Sequence, residues 1–235
     1  MQAFKVKLVE KIKRTPTIES FRFYSENKNQ FLPGQFLQFV FDSSNPKNKD
    51  LNKYLSFSSS PLKDYIEVTK RLSESDFSSK LRNLKFEEEI TLKAPFGTNV
   101  LREEYRKIAF LIGGIGITPV ISILEYIVDR KLSTSAFLLY SNRNQEEIAF
   151  KKELDSWQNN TNIKVFYTMT DSSKQDQNYI SGRINKQLVV EKIKDIHERI
   201  IYIFGPPGMV KAMNALCLEA GCKKENLRTE SFIGY

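Results

Sequence analysis

At 235 residues, with 40% hydrophobic and 27% charged side chains, the chain has room for one large or two ordinary domains and the composition of a soluble globular protein. No apolar run approaches the roughly 20 residues that span a bilayer. Two cysteines and one histidine exclude a disulfide framework, a four-cysteine zinc site, an iron–sulfur cluster and any scheme needing two imidazoles. The net charge of +8 is uneven: residues 1–102 hold 18 Lys+Arg against 12 Asp+Glu, net +6, and residues 103–235 hold 18 against 16, net +2. No basic run interleaved with aromatics occurs, which argues against nucleic acid and leaves anionic cofactors or an acidic protein partner.

The N-terminal MQAFKVKLVEKIK alternates like a strand and lacks the apolar core of a signal peptide, so the expected location is cytoplasmic. FKVKLVEKI, IESFRFY, PGQFLQFVF, YLSFSSS, DYIEVTK and EEITLKA continue the period-two pattern between turn signals, with helical spacing only around residues 76–84. Short strands at this spacing predict an antiparallel barrel or sandwich over residues 1–102.

After residue 103 the rhythm becomes strand then helix. KIAFLIG, SAFLLYS, NIKVFYTM and RIIYIFG are apolar runs of the kind buried on both faces, and the first, second and last lead into helical stretches. Residues 103–235 are therefore predicted to form a doubly wound α/β domain on a parallel sheet. Asn144 with Glu147 is a candidate capping box for a helix presenting Phe150, Leu154 and Trp157. A later helix presents Met209, Ala212, Met213 and Leu216 and ends at Gly221, while Cys217 and Cys222 are expected to be free thiols.

Three glycines interrupt the apolar run in LIGGIGITP, although a glycine within a strand or helix costs about 0.5–1 kcal/mol relative to alanine. In a doubly wound sheet this turn falls at a strand's carboxyl end, where ligands bind. Glycines admit a phosphate to the backbone, Thr118 can cap the following helix, and Pro119 suits its first position. The pattern G-x-G-x-x-P departs from the G-x-G-x-x-G fingerprint, so a tight turn without a ligand stays open on this motif alone. FGPPGM is a second turn of the same kind.

In order along the chain, PGQF, KYLSFSSSP, EVTK, FSSKL, APFG, GGIGITP, YSNR, GRI, FGPPGM and ESFIGY together resemble the ferredoxin–NADP⁺ reductase superfamily, over nearly the whole sequence. The resemblance implies a flavin-binding N-terminal barrel and an NAD(P)-binding C-terminal domain. It implies an FAD-dependent oxidoreductase that takes hydride from NADH or NADPH and passes electrons to a separate acceptor, such as an acidic ferredoxin or flavodoxin, or a small molecule. Service as the reductase subunit of an oxygenase or dehydrogenase complex is an alternative, as is a redox-inactive nucleotide-binding module.

Carried over by position, KYLS matches R-x-Y-[ST]. The resemblance implies that Lys53 meets the pyrophosphate, that Leu55 stands where the ring-stacking tyrosine does, and that Ser56 lies near the flavin N5 as a catalytic contact; Tyr54, one residue away, is expected to face the other side of the strand, so that a Phe or Tyr from elsewhere supplies the stack. Val68, Thr69 and Lys70 would line the ribityl and pyrophosphate, with Phe77 and Ser78 at the phosphate-holding helix start. Gly114, Gly116 and Thr118 would meet the nicotinamide nucleotide, with Gly205, Pro206 and Pro207 beneath its ring and Phe204 in place of a cysteine. Glu230 would relay a proton, and Phe232 and Tyr235 would form an aromatic tail over the flavin. Asp171 at the end of the third strand favours a ribose diol, and so NADH, while Arg143 and Arg183 favour a 2′-phosphate.

Overall fold

The computed structural model describes residues 2–25, 30–171 and 178–232. The chain divides into two compact units, Met1–Leu101 with Thr118–Asp129, and Arg102–Ile117 with Arg130–Tyr235.

In the first unit, β1 (Gln2–Lys13), β2 (Ile18–Tyr24), β3 (Phe36–Val40), β4 (Asn52–Ser56), β5 (Tyr65–Arg71) and β6 (Glu89–Phe96) form an antiparallel sheet in the order β4-β3-β6-β1-β2-β5. The two edges meet: Phe57 bridges Val68, and the Ser58 N–H donates to the Glu67 carbonyl at 2.8 Å. Closure turns the sheet into a barrel and removes its free edges. Alternating residues of β1, β2, β3, β5 and β6, among them Leu8, Phe21, Phe39, Val68 and Leu92, are fully buried inside, as is Phe57 just after β4. Helix α1 (Asp76–Asn83) adds Phe77 and Leu81 to this core.

Helix α2 (Thr118–Asp129) belongs to this unit although it follows the first strand of the second. Its Glu125 accepts the Ser60 N–H at 2.6 Å and lies 3.4 Å from Lys63, which also meets Asp129 at 3.1 Å. Burial pushes the Glu125 carboxyl above its ordinary range, against the Ser60 N–H and the Lys63 charge.

In the second unit, β7 (Lys107–Gly113), β8 (Ser135–Asn142), β9 (Ile163–Met169), β10 (Ile180–Ser181), β11 (Ile200–Gly205) and β12 (Leu227–Ser231) are all parallel, ordered β10-β9-β8-β7-β11-β12. The chain reverses its direction of travel across the sheet between β7 and β11, the switch point of a doubly wound fold. Every described residue of β7 after Lys107 is buried, as its apolar run requires.

Local expectations needed three corrections. Asn144 accepts the Glu146 N–H at 3.1 Å and opens a 3₁₀ turn over Gln145–Glu147, not helix α3 (Lys151–Asn160). That helix starts after Phe150, whose left-handed backbone (φ 60°) reorients the chain. Helix α4 (Lys186–Lys192), capped by Asn185 on the Leu188 N–H at 2.9 Å, was absent from the expected pattern because its apolar face is only two residues, Leu188 and Val189. In α5 (Pro207–Glu219) the buried face is Val210, Met213, Leu216 and Cys217, and Ala212 is exposed. Cys217 and Cys222 are free and buried, and burial pushes the Cys217 thiol up to about 12.

Candidate functional site

The two glycine turns sit side by side at the carboxyl ends of neighbouring strands. β7 ends at Gly113 and runs into a 3₁₀ turn, Gly114–Ile117, while β11 ends at Gly205 and runs through Pro206 into α5. A Cβ on Gly116 would lie 2.5 Å from the Phe204 carbonyl oxygen and 2.8 Å from its carbon, so the two turns touch backbone to backbone. Gly205 has φ +158° and its Cβ would meet the Gly113 nitrogen at 3.3 Å. Pro206 and Pro207 are exposed beside them, leaving a surface with little side-chain bulk. Such a cradle of backbone fits a phosphate or a flat ring.

Strand β12 brings the C-terminal residues to the same edge. Glu230 pairs with Phe204 and Ser231 with Gly205, and the Phe232 N–H donates to the Gly205 carbonyl at 3.0 Å. Tyr235 lies outside the described residues. The Phe204 ring is fully buried against Tyr202, so only its backbone reaches the turn. Thr118 is the buried first residue of α2, with Pro119 second.

The ends of β8 and β9 are tied together: the Thr170 N–H donates to the Asn142 carbonyl at 3.0 Å and the Asp171 N–H to the Arg143 carbonyl at 2.9 Å. Gly182, next to Arg183, donates to the Met169 carbonyl at 2.7 Å. Arg143, Asp171 and Arg183 are thus carried by neighbouring segments of one edge, the two arginines exposed and Asp171 half-buried.

On the barrel, strand alternation divides KYLS between two faces. Leu55 pairs with Leu37 and packs on the barrel core; Lys53 and Leu55 share this face. Tyr54 and Ser56 take the other, where Tyr54, 58% exposed, meets the rings of Phe36 (5.7 Å, 90°) and Phe96 (5.4 Å, 88°) edge to face. Sequence reasoning missed this aromatic cluster because Phe36 and Phe96 lie far apart in the chain and meet only through the β3–β6 pairing.

Several motif side chains are occupied within the barrel. Val68 and Phe77 are fully buried, which leaves their backbones for a ligand. The Thr69 hydroxyl is 2.6 Å from that of Ser20 and 2.7 Å from that of Ser58. Ser78 closes a serine cluster at the start of α1, where its N–H donates to the Ser75 hydroxyl at 3.3 Å and its own hydroxyl accepts the Ser73 N–H at 3.2 Å.

Lys70 is different. Burial first, and the nearby Lys53 charge second, hold its pKa below the usual lysine value. Two half-buried cations close enough for one charge to act on the other suit a diphosphate, whose negative charge would offset both effects. The Lys70→Met protein is accordingly expected to bind FAD about tenfold more weakly, the loss of one charge-assisted contact, yet to be no less stable without ligand. A lysine whose folded pKa is depressed penalises the fold below that pKa, and the penalty fades as pH rises toward the unfolded value. Apo-protein thermal unfolding across pH 7–10 checks this: the wild type should gain on the variant with rising pH.

The model of the oxidoreductase NAD-binding domain family matches residues 110–215. An NADH nitrate reductase of Nicotiana tabacum is 28% identical over 170 residues, 71% of this chain but 17% of that enzyme. Among solved structures, the flavohem-like FAD/NAD-binding domain of a Vibrio cholerae nitric oxide dioxygenase superposes with a TM-score of 0.83 at 20% identity, covering 97% of this chain and 98% of that one. A ferredoxin–NADP⁺ reductase of Neisseria gonorrhoeae with bound FAD and NADP gives 0.81 at 19% identity, covering 98% and 99%. The chain spans 12–58% of the length of the curated relatives it matches at the head of the comparison. Among the described residues no helix is long and apolar enough to cross a membrane. With the ordered motifs, the barrel followed by a doubly wound sheet and the matched nucleotide-binding domain in hand, the chain shares the two-domain fold of these FAD- and NAD(P)-binding structures, and residues 110–215 match the oxidoreductase NAD-binding domain family.

Proposed function

We propose that the protein is an FAD-dependent NAD(P)H oxidoreductase that hands electrons to a separate acceptor. One observation carries the reading: Gly116 rests on the Phe204 carbonyl, so the two glycine turns form one continuous backbone surface at the switch point of a parallel sheet. Bound FAD would supply a ring that accepts hydride and releases electrons to the acceptor. The chain's part is to bind and orient. Lys53 and Lys70 hold the diphosphate, and Tyr54 with Phe36 and Phe96 offers the flavin an aromatic surface on the face that carries Ser56. Tyr54, not Leu55, is therefore proposed as the ring's neighbour. Glu230, paired with Phe204 one residue before the Gly205 turn, is proposed as the carboxylate that relays a proton.

Asp171 supports NADH over NADPH, since a carboxylate at the end of β9 repels a 2′-phosphate and accepts from a ribose diol. A small acidic redox protein, ferredoxin or flavodoxin, suits the basic first half.

The test is anaerobic. The purified protein, reconstituted with FAD where needed, is expected to be yellow and to lose its flavin absorbance on titration with NADH at lower concentration than with NADPH. A protein that takes up neither FAD nor FMN, or a flavin that neither nucleotide bleaches, would favour the redox-inactive module.

A further inference from the structure

Asn142 ends β8, at the carboxyl edge of the parallel sheet. It is 4% exposed, and its Nδ2 and Oδ1 atoms are both buried with no hydrogen-bond partner among the described residues. Ser25, Ser122 and Thr168 each leave one hydroxyl in that condition. A hydroxyl can swing to a new partner, whereas a planar amide holds a donor and an acceptor in fixed relation and leaves both unmet. Burying such a group unmatched disfavours the fold, so its presence needs a reason.

Its position supplies one. Gly113 pairs with Ser141, which sets Asn142 level with the start of the Gly114–Ile117 turn. Its backbone carbonyl already accepts the Thr170 N–H, so within Asn142 the side chain is what remains unmatched. We propose that Asn142 contacts the nicotinamide nucleotide, its amide donating to one hydroxyl of a ribose diol and accepting from the other. This rests on the nucleotide-binding reading above. Phosphate oxygens only accept and would leave Oδ1 unmatched; a vicinal diol satisfies both atoms.

The test is calorimetric titration of the flavin-loaded wild type and Asn142→Leu with NAD⁺ and with ADP-ribose, which has no nicotinamide, together with thermal unfolding without nucleotide. Leucine keeps the side chain's shape and removes its polar atoms. The variant is expected to bind both ligands about tenfold more weakly and to unfold at no lower temperature than the wild type. Unchanged affinity for both ligands in a wild type that binds them would overturn the assignment while leaving the reading of the site intact, and a lower unfolding temperature alongside it would mark a purely structural asparagine. Loss confined to NAD⁺ would overturn the diol in favour of the carboxamide. A wild type that binds neither ligand would remove the reading and the assignment together. Should Asn142→Leu not fold, Asn142→Ser takes its place, with a several-fold loss for both ligands expected and no loss overturning the proposal.

Discussion

Gly116→Ala is expected to slow flavin reduction by NADH by about a hundredfold, the effect of a misplacement approaching 1 Å at a reacting centre, while flavin binding is retained. The added methyl would stand 2.5 Å from the Phe204 oxygen, 2.8 Å from its carbon and 3.0 Å from the Gly205 nitrogen. All three are backbone atoms of a strand fixed between β7 and β12, so none can rotate aside. The turn must lift off its neighbour, breaking the continuity of the two turns that forms the nucleotide's surface, at about 1–3 kcal/mol of overpacking. Gly113→Ala is the informative contrast. There the nearest atom is the Met209 sulfur at 2.4 Å, the end of a flexible side chain that can turn away. Stopped-flow bleaching of the three proteins at saturating and limiting NADH should rank them wild type, Gly113→Ala, Gly116→Ala, with the last far below. Equal rates for Gly116→Ala and wild type would mean that the turn is structural and that nucleotide binds elsewhere.

What the sequence disclosed, and what it hid, follows from the range of the interactions involved. Period-two alternation up to residue 96 and the apolar runs beyond 107 are local signals, and both sheets are there, as are the two glycine turns at strand ends. Helix α4 and strand β12 escaped notice because LVV and LRTES carry little periodicity of their own and owe their conformation to neighbours in the fold. The allegiance of α2 to the barrel unit depends on Glu125 meeting Ser60 and Lys63, about sixty residues back in the chain, which no window along the sequence exposes. At the candidate site, the motif residues were recognisable but their aim was not. Alternation already sets Tyr54 and Leu55 on opposite faces of the strand, but which of them turns into the core depends on register with β3, a tertiary fact. The same holds for Val68 and Phe77, whose side chains turn into the core beside the stretch they were expected to line. Asn142 gave no signal at all, since an asparagine in YSNRN becomes conspicuous only once its amide is seen to be buried and unmatched.

Glu67→Ala is expected to lower stability by about 3–5 kcal/mol, the usual result of stripping one partner from a buried ion pair, and so to reduce the unfolding temperature by on the order of 10 °C. The carboxylate is 2% exposed and accepts from Arg14 Nη2 at 2.8 Å and from Arg22 Nε at 2.7 Å, with the Arg14 side chain itself only 10% exposed. Removal takes from the buried Arg14, and from Arg22, the carboxylate that both meet and, through Arg14, loosens a chain of bonds. Arg14 Nε donates to the Ser20 hydroxyl at 2.8 Å, Ser20 meets Thr69 at 2.6 Å, and Thr69 meets Ser58 at 2.7 Å. Ser58 lies on the closing seam, two residues beyond Ser56, so flavin affinity should fall along with the melting temperature. Within EVTK, then, glutamate is argued to act as a keystone and Lys70 as the ligand contact, two roles that one motif hides. Arg14→Met combined with Glu67→Leu removes the more buried of the two ion pairs as a unit, while Arg22 keeps Glu10 at 2.8 Å, and is expected to recover much of the loss, because apolar replacement of a whole buried pair is often neutral. Thermal unfolding of the single and double variants, followed by FAD titration, decides the matter. A double variant no better than Glu67→Ala would show that the carboxylate's own bonds, and not the Arg14 charge left behind, decide the loss.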